Sequence, residues 1–231
     1  KALEAGRDME EYYKILCSAG ILPHGAPGRV FYKRSLDEQS IFYSRLKPFL
    51  TEKEDAEHLI FEAGGLKISG TASGLYGGRS IFYRCSGIKS RDMLRAWIYH
   101  LLLCASGKKE YETVLFSRDE SVHIIPLSRA DAAGNLEVLA GLYREGMMEP
   151  LKVFEKSSFS YAEEFYKASS EPGQKAMKKG MEAFHGSKYL QGDIEDFYVK
   201  KLFSGYSPDR KFSENAIFIY GPVYENMGRR K

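Results

Sequence analysis

Cysteine is scarce in this chain: Cys17, Cys85 and Cys104 are the three present among 231 residues. An odd number without paired spacing makes neither a disulfide framework nor a zinc site, so the three read as small apolar side chains in a reducing cytoplasm. Long apolar runs are missing too. The longest, residues 101–105, falls far short of the ~20 residues that span a bilayer. Charge of one sign is equally thin, because 34 basic residues face 31 acidic ones. The net +3 does not by itself argue for a nucleic-acid partner. The five histidines are scattered one per element, with no His-x-x-x-His pair to hold a metal.

Aromatic surface is plentiful. With 16 Tyr and 14 Phe the chain has too much buriable area for disorder to dominate, and its length suits one core with a small appended lobe. Residues 1–20 are charged and helical in pattern, unlike a secretory signal. The start at Lys1, inside that pattern, reads as that of a piece of something longer.

Apolar spacing predicts helices over residues 3–18 and 36–50, the second with Pro48 near its end. Between them, Leu22-Pro23-His24-Gly25-Ala26-Pro27-Gly28 reads as a rigid loop. The period then changes to that of strands over 58–61, 66–70, 80–84, 111–117 and 122–126, with Gly64-Gly65 and Gly77-Gly78 as hairpin turns. A strong helix over 90–104 interrupts the strands, with Ser90 as its cap, Asp92 in its first turn and Gly107 after its end. Ser128 and Asp131 open a helix running to about 144. Further helices are expected over 161–168, 172–184, 194–203 and 214–224, and a frayed tail over 228–231. This order gives an α+β or α/β sandwich rather than a regular βαβ array, a central mixed sheet flanked by helices in a single domain over 1–231. Its parts are a helical segment (1–50), the sheet with its inserted helix (57–126) and the C-terminal helices (128–226).

Few motifs carry chemistry. The glycine-rich stretches 70–74 and 74–78 lack the Lys-Ser/Thr ending of a phosphate loop and read as strand ends and turns. Ser106 has no nucleophile-elbow frame, and neither Cys85 nor Cys104 has a base beside it. His100 lies on the polar flank of its helix; it could reach a site, but a satisfied or surface histidine is the plainer reading. Metal-dependent nucleases need acids at the ends of adjacent strands, with a lysine to orient the attacking water. The layout of strands and helix between 66 and 104 fits that plan, yet residues 63–91 contain no acid at all. Ser73 stands where the first acid is wanted, and Tyr83 and Cys85 stand where the second acid and the lysine are wanted.

Three blocks, residues 19–28 (AGILPHGAPG), 97–107 (WIYHLLLCASG) and 141–151 (GLYREGMMEPL), occur in order and at family-like spacing. On them the chain resembles the C-terminal domain of RecC, the gamma subunit of bacterial exodeoxyribonuclease V, over nearly its whole length. The resemblance implies a restriction-endonuclease-like (PD-(D/E)XK) fold that has lost its catalytic residues, in agreement with the acid-free stretch. It implies RecB, RecD and DNA (duplex end and single strands) as partners and a cytoplasmic, non-membrane setting. It implies no cofactor in this chain, Mg²⁺ and ATP being used by the partner subunits. The implied role is to hold RecB and RecD together and to guide or split the duplex.

Tyr76, Arg79, Tyr83, Arg84, Lys89 and Arg91 surround the vacant positions and are the expected DNA-facing set, since rings stack on bases and cations neutralise phosphates. The plainer reading makes them ordinary strand and helix-start residues. Two other functions compete: an active metal-dependent nuclease drawing acids from Glu62, Asp92 or Glu112, and a purely protein–protein interaction domain.

Overall fold

A computed structural model describes residues 8–188 and 190–230. Helix α1 (Met9–Ser18) starts where the Asp8 carboxylate accepts the backbone N–H groups of Glu10 and Glu11; residues 3–7 of the expected helix lie outside the described residues. The second helix begins ten residues before its expected start. Helix α2 (Ala26–Leu46) takes Pro27 into its first turn, where a missing N–H costs nothing, so the proline-glycine stretch opens a helix rather than prolonging a loop. Pro48 then turns the chain into a short 3-10 segment, Lys47–Phe49.

Strands β1 (Glu57–Ala63) and β2 (Leu66–Ala72) pair antiparallel through Gly64 and Gly65, both at positive φ, as a two-stranded unit of their own. This corrects the expectation that they belong to the central sheet. Among the described residues that sheet has five strands: β3 (Leu75–Tyr76), β4 (Arg79–Tyr83), β5 (Glu112–Phe116), β6 (Ser121–Ile124) and β9 (Met227–Arg230), in that spatial order. The neighbour of β4 on its outer side is therefore β3 rather than β2. β4 and β5 are parallel, joined by helix α3 (Ser90–Ser106), and the other pairings are antiparallel. Residues 228–230 of the tail expected to fray instead belong to the edge strand β9, their backbone paired with β6, and residue 231 lies outside the described residues.

α3 is apolar nearly all round, as a helix buried on several sides must be. Met93, Trp97, Leu101 and Leu103 are fully enclosed, and truncating one of them to alanine costs about 2–5 kcal/mol. The helix packs on the sheet face that carries Leu115, Val122 and Ile124. The opposite face, with Ile81, Val114 and Phe116, is covered by Phe42 and Leu46 of α2. Helices α4 (Arg129–Met148), α5 (Glu155–Lys167), α6 (Pro172–His185), α7 (Phe197–Leu202) and α8 (Arg210–Glu225) follow, with a short hairpin of β7 (Gly186–Ser187) and β8 (Leu190–Gln191). They build a second core around Phe154, Tyr161, Phe184 and Phe212. The observed architecture is mixed α and β with a mixed sheet. Among the described residues no helix is long and apolar enough to cross a membrane.

Candidate nucleic-acid interface

The expected DNA-facing residues do not form one surface. Tyr76 is 8% exposed and packs with Phe42, Leu46 and Phe116, so its ring cannot stack on a base. A two-residue strand shows no alternation from which that burial could be read. Arg79 shares the parity of Ile81 on β4 and so points to the α2 side. There its Nε donates to Glu112 Oε2 at 3.2 Å.

Arg84, Lys89 and Arg91 do come together. They line a cleft of about 620 Å³ between the start of α3 and the start of α5, with Lys156 as a fourth cation. Two acids face them. Asp92 accepts the Lys89 backbone N–H at 3.0 Å and the Arg84 guanidinium. Lys89 is thus the N-cap residue; Ser90, expected as the cap, donates its hydroxyl to Glu155 at 3.2 Å instead. Glu155 takes a forked pair of bonds from Arg91, which holds its pKa below the usual carboxylate range despite partial burial. The cleft therefore carries four cations against two carboxylates, and both carboxylates are engaged by arginine.

Ser73 lies exposed in the step between β2 and β3, Tyr83 closes β4, and Cys85 is exposed just beyond it. Glu62 sits on the β1–β2 hairpin opposite Lys67, Asp92 on α3 and Glu112 on β5. Among the described residues no group of three or more His, Cys, Asp or Glu is placed to hold a metal ion.

A polar chain that sequence spacing did not signal crosses the sheet on the α2 side. The His123 Nδ1 lies 2.7 Å from Glu112 Oε1, and its Nε2 lies 3.3 Å from the Ser121 hydroxyl. Burial raises the pKa of Glu112, but bonds from His123 and Arg79 outweigh it and hold the group low. The order Ser–His–Glu is that of an acyl-transfer triad. Ser121 and His123 are each 7% exposed, however, and Phe49 packs on the His123 ring, so no substrate carbonyl reaches the serine. Alternation on β6 places Ser121 and His123 on one face; the Glu112 partner is a non-local contact that no local pattern reveals.

His100 is wholly enclosed, its Nδ1 2.9 Å from the Thr113 hydroxyl, its ring stacked on Trp97 and its Nε2 3.6 Å from Cys104 Sγ. Burial pushes its pKa down to about 4 and pushes the Cys104 thiol up. Both are core groups, and the plainer reading of His100 holds.

A family model described as the RecC C-terminal domain matches residues 1–166. The chain belongs to this family. Among curated relatives, the RecBCD enzyme subunit RecC of Escherichia coli (strain K12) is 25% identical over 215 residues, covering 90% of this chain and 19% of that protein. The RecBCD enzyme subunit RecC of Buchnera aphidicola subsp. Acyrthosiphon pisum (strain APS) is 24% identical over 232 residues, covering 96% of this chain and 21% of that protein. The chain thus spans about a fifth of the length of these relatives. All three sequence blocks that carry the resemblance fall within the matched residues.

Proposed function

We propose that the chain serves as the non-catalytic C-terminal domain of a RecC subunit, scaffolding RecB and RecD and guiding or splitting DNA in break repair and recombination. The family match over residues 1–166 is the observation that carries this reading. The cytoplasm is its setting, and Mg²⁺ and ATP belong to the chemistry of the partner subunits. The core is read as a restriction-endonuclease-like fold emptied of its catalytic side chains, with Ser73, Tyr83 and Cys85 in the vacated positions. In support, a parallel β4–α3–β5 unit stands beside antiparallel strands, and no acid occurs in residues 63–91. Glu62, Asp92 and Glu112 lie on three separate elements, and the latter two already bind arginine, which disfavours the active-nuclease alternative.

The DNA-facing surface is the cleft of Arg84, Lys89, Arg91 and Lys156. A phosphate entering it exchanges places with Asp92 or Glu155 as the arginine partner. The scaffolding part draws support from an apolar groove of about 880 Å³ lined by Leu66, Ile68, Leu94, Ile98, Leu142 and Met147 among others. The test is binding of forked DNA by the chain at low and moderate salt, alongside an Arg84→Ala/Arg91→Ala variant. Salt-sensitive binding that weakens in the variant is expected; equal binding by both proteins removes the cleft from the reading. Cleavage of the fork by the folded chain with Mg²⁺ or Mn²⁺ would overturn its non-catalytic part.

A further inference from the structure

The arginines of the cleft are matched by carboxylates, but a second basic surface is not. It lies on α7, within the sequence Phe197-Tyr198-Val199-Lys200-Lys201-Leu202. This helix is firmly seated. The Asp196 carboxylate accepts the N–H groups of Tyr198 and Val199 at 2.9 and 3.1 Å, and Val199 with Phe203 packs on the Phe154–Phe184 core. At 3.6 residues per turn the opposite side of the helix presents Phe197, Tyr198, Lys201 and Leu202 together, with Lys200 on the flank. The phenylalanine is 69% exposed and the tyrosine 71% exposed. Their rings meet edge to face at 5.3 Å, which leaves ring surface open to solvent. Folding does not account for this exposure, since the core contact of α7 is made by other side chains.

The nearby acids are already used. Asp196 caps α7, Glu195 accepts the Gly192 N–H, and Asp193 is buried against the start of α5. Among the described residues neither Lys200 nor Lys201 lies within ion-pair reach of a carboxylate. The surface is also linked to the cleft, because Lys156 of the cleft donates to the Gln191 carbonyl in the hairpin that leads into α7.

We infer that the outward face of α7 is a stacking platform for single-stranded nucleic acid, with bases on Phe197 and Tyr198 and phosphates on Lys200 and Lys201. The inference rests on the DNA-guiding reading of the chain and adds a second, strand-specific site to it. Every base has a π-face, so such a platform tolerates any sequence.

The experiment is fluorescence anisotropy of a labelled oligothymidylate with the chain over a salt series. Phe197→Ala/Tyr198→Ala is expected to weaken binding about tenfold or more, while Tyr198→Phe retains it. Lys200→Gln/Lys201→Gln is expected to reduce the salt slope by about 1.4. Circular dichroism melts matching the parent show that the variants fold, as expected from the untouched Val199 and Phe203 anchors. Unchanged oligothymidylate affinity in the folded double-alanine variant overturns the platform. So does capture of polyglutamate with no capture of oligothymidylate, which assigns the face to an acidic protein partner. Forked-duplex binding that depends on Arg84 and Arg91, with no oligothymidylate binding, overturns the platform alone; absence of binding to either DNA overturns the DNA-guiding reading as well.

Discussion

Arg91 grips Glu155 with two parallel bonds, Nε to Oε1 at 3.2 Å and Nη2 to Oε2 at 2.6 Å, tying the first turn of α3 to the first turn of α5. On the proposed DNA-facing reading of the cleft, the pair neutralises a cation that a phosphate would otherwise meet. Glu155→Gln is therefore expected to raise the affinity for forked DNA and to steepen its salt dependence by about 0.9. Stability should change by no more than about 1 kcal/mol, the range for a solvent-exposed pair. A salt titration of binding checks the first, and a urea melt the second. Weaker binding by this variant would mean that Glu155 organises the cleft instead of blocking it.

Helix α5 has no cap in its own sequence, since Phe154 stands at its N-cap. Asp193, far along the chain, supplies one: its carboxylate accepts the N–H groups of Ser157 at 2.7 Å and Lys156 at 3.2 Å, and the Ser157 hydroxyl. Asp193→Ala is expected to cost about 1–3 kcal/mol in urea unfolding, and Asp193→Asn less, because the amide oxygen still accepts. An alanine variant as stable as the parent would show that the start of α5 is held by packing alone.

His100 ties stability to pH. Its folded pKa of about 4 lies below the ordinary 6.5, so the unfolded chain binds the proton more readily. Stability is then highest above pH 6.5 and falls as the pH drops toward 4. The loss should be about 2 kcal/mol between pH 7 and pH 5. Urea midpoints at the two pH values check it, and His100→Gln, which can still bond Thr113, should flatten the dependence.

Gly180 lets α6 approach its neighbours. A Cβ there would meet the Phe212 ring at 3.0 and 3.2 Å and the Tyr161 Cβ at 3.4 Å. Gly180→Ala gains about 1 kcal/mol of helix propensity but forces a fully buried ring to shift, at about 1–3 kcal/mol. A lower melting temperature is expected, and a raised one would show that Phe212 yields easily.

Local signals in the sequence translated well into structure. Gly64-Gly65 and Gly77-Gly78 are turns with both residues at positive φ, and the apolar stripe from Met93 to Leu102 is the central helix, ended by Gly107 at positive φ. Ser128 caps α4 as its spacing to Asp131 indicated. What went unread depends on distant partners. Pro27 looked like a loop residue because proline suits a turn and a first helical turn equally. Tyr76 looked available because nothing beside it in sequence announces Phe42 or Phe116. Arg79, Arg84 and Arg91 looked like free cations, and only folding brings Glu112, Asp92 and Glu155 against them. Of the expected set only Arg84, Lys89 and Arg91 share one cleft, and the carboxylates that balance their charge come from sequence-distant or unpredicted contacts.

Strand β9 closes the sheet against β6 only after the whole run from α4 to α8 has intervened. During synthesis the β6 edge therefore stays without its β9 partner until residues 227–230 have been made. In that interval its free N–H and C=O groups are a template for pairing with any other extended segment. Slow elongation through α4–α8 prolongs the hazard, so the yield of native chain should depend on translation speed and on chaperones that shield the open edge.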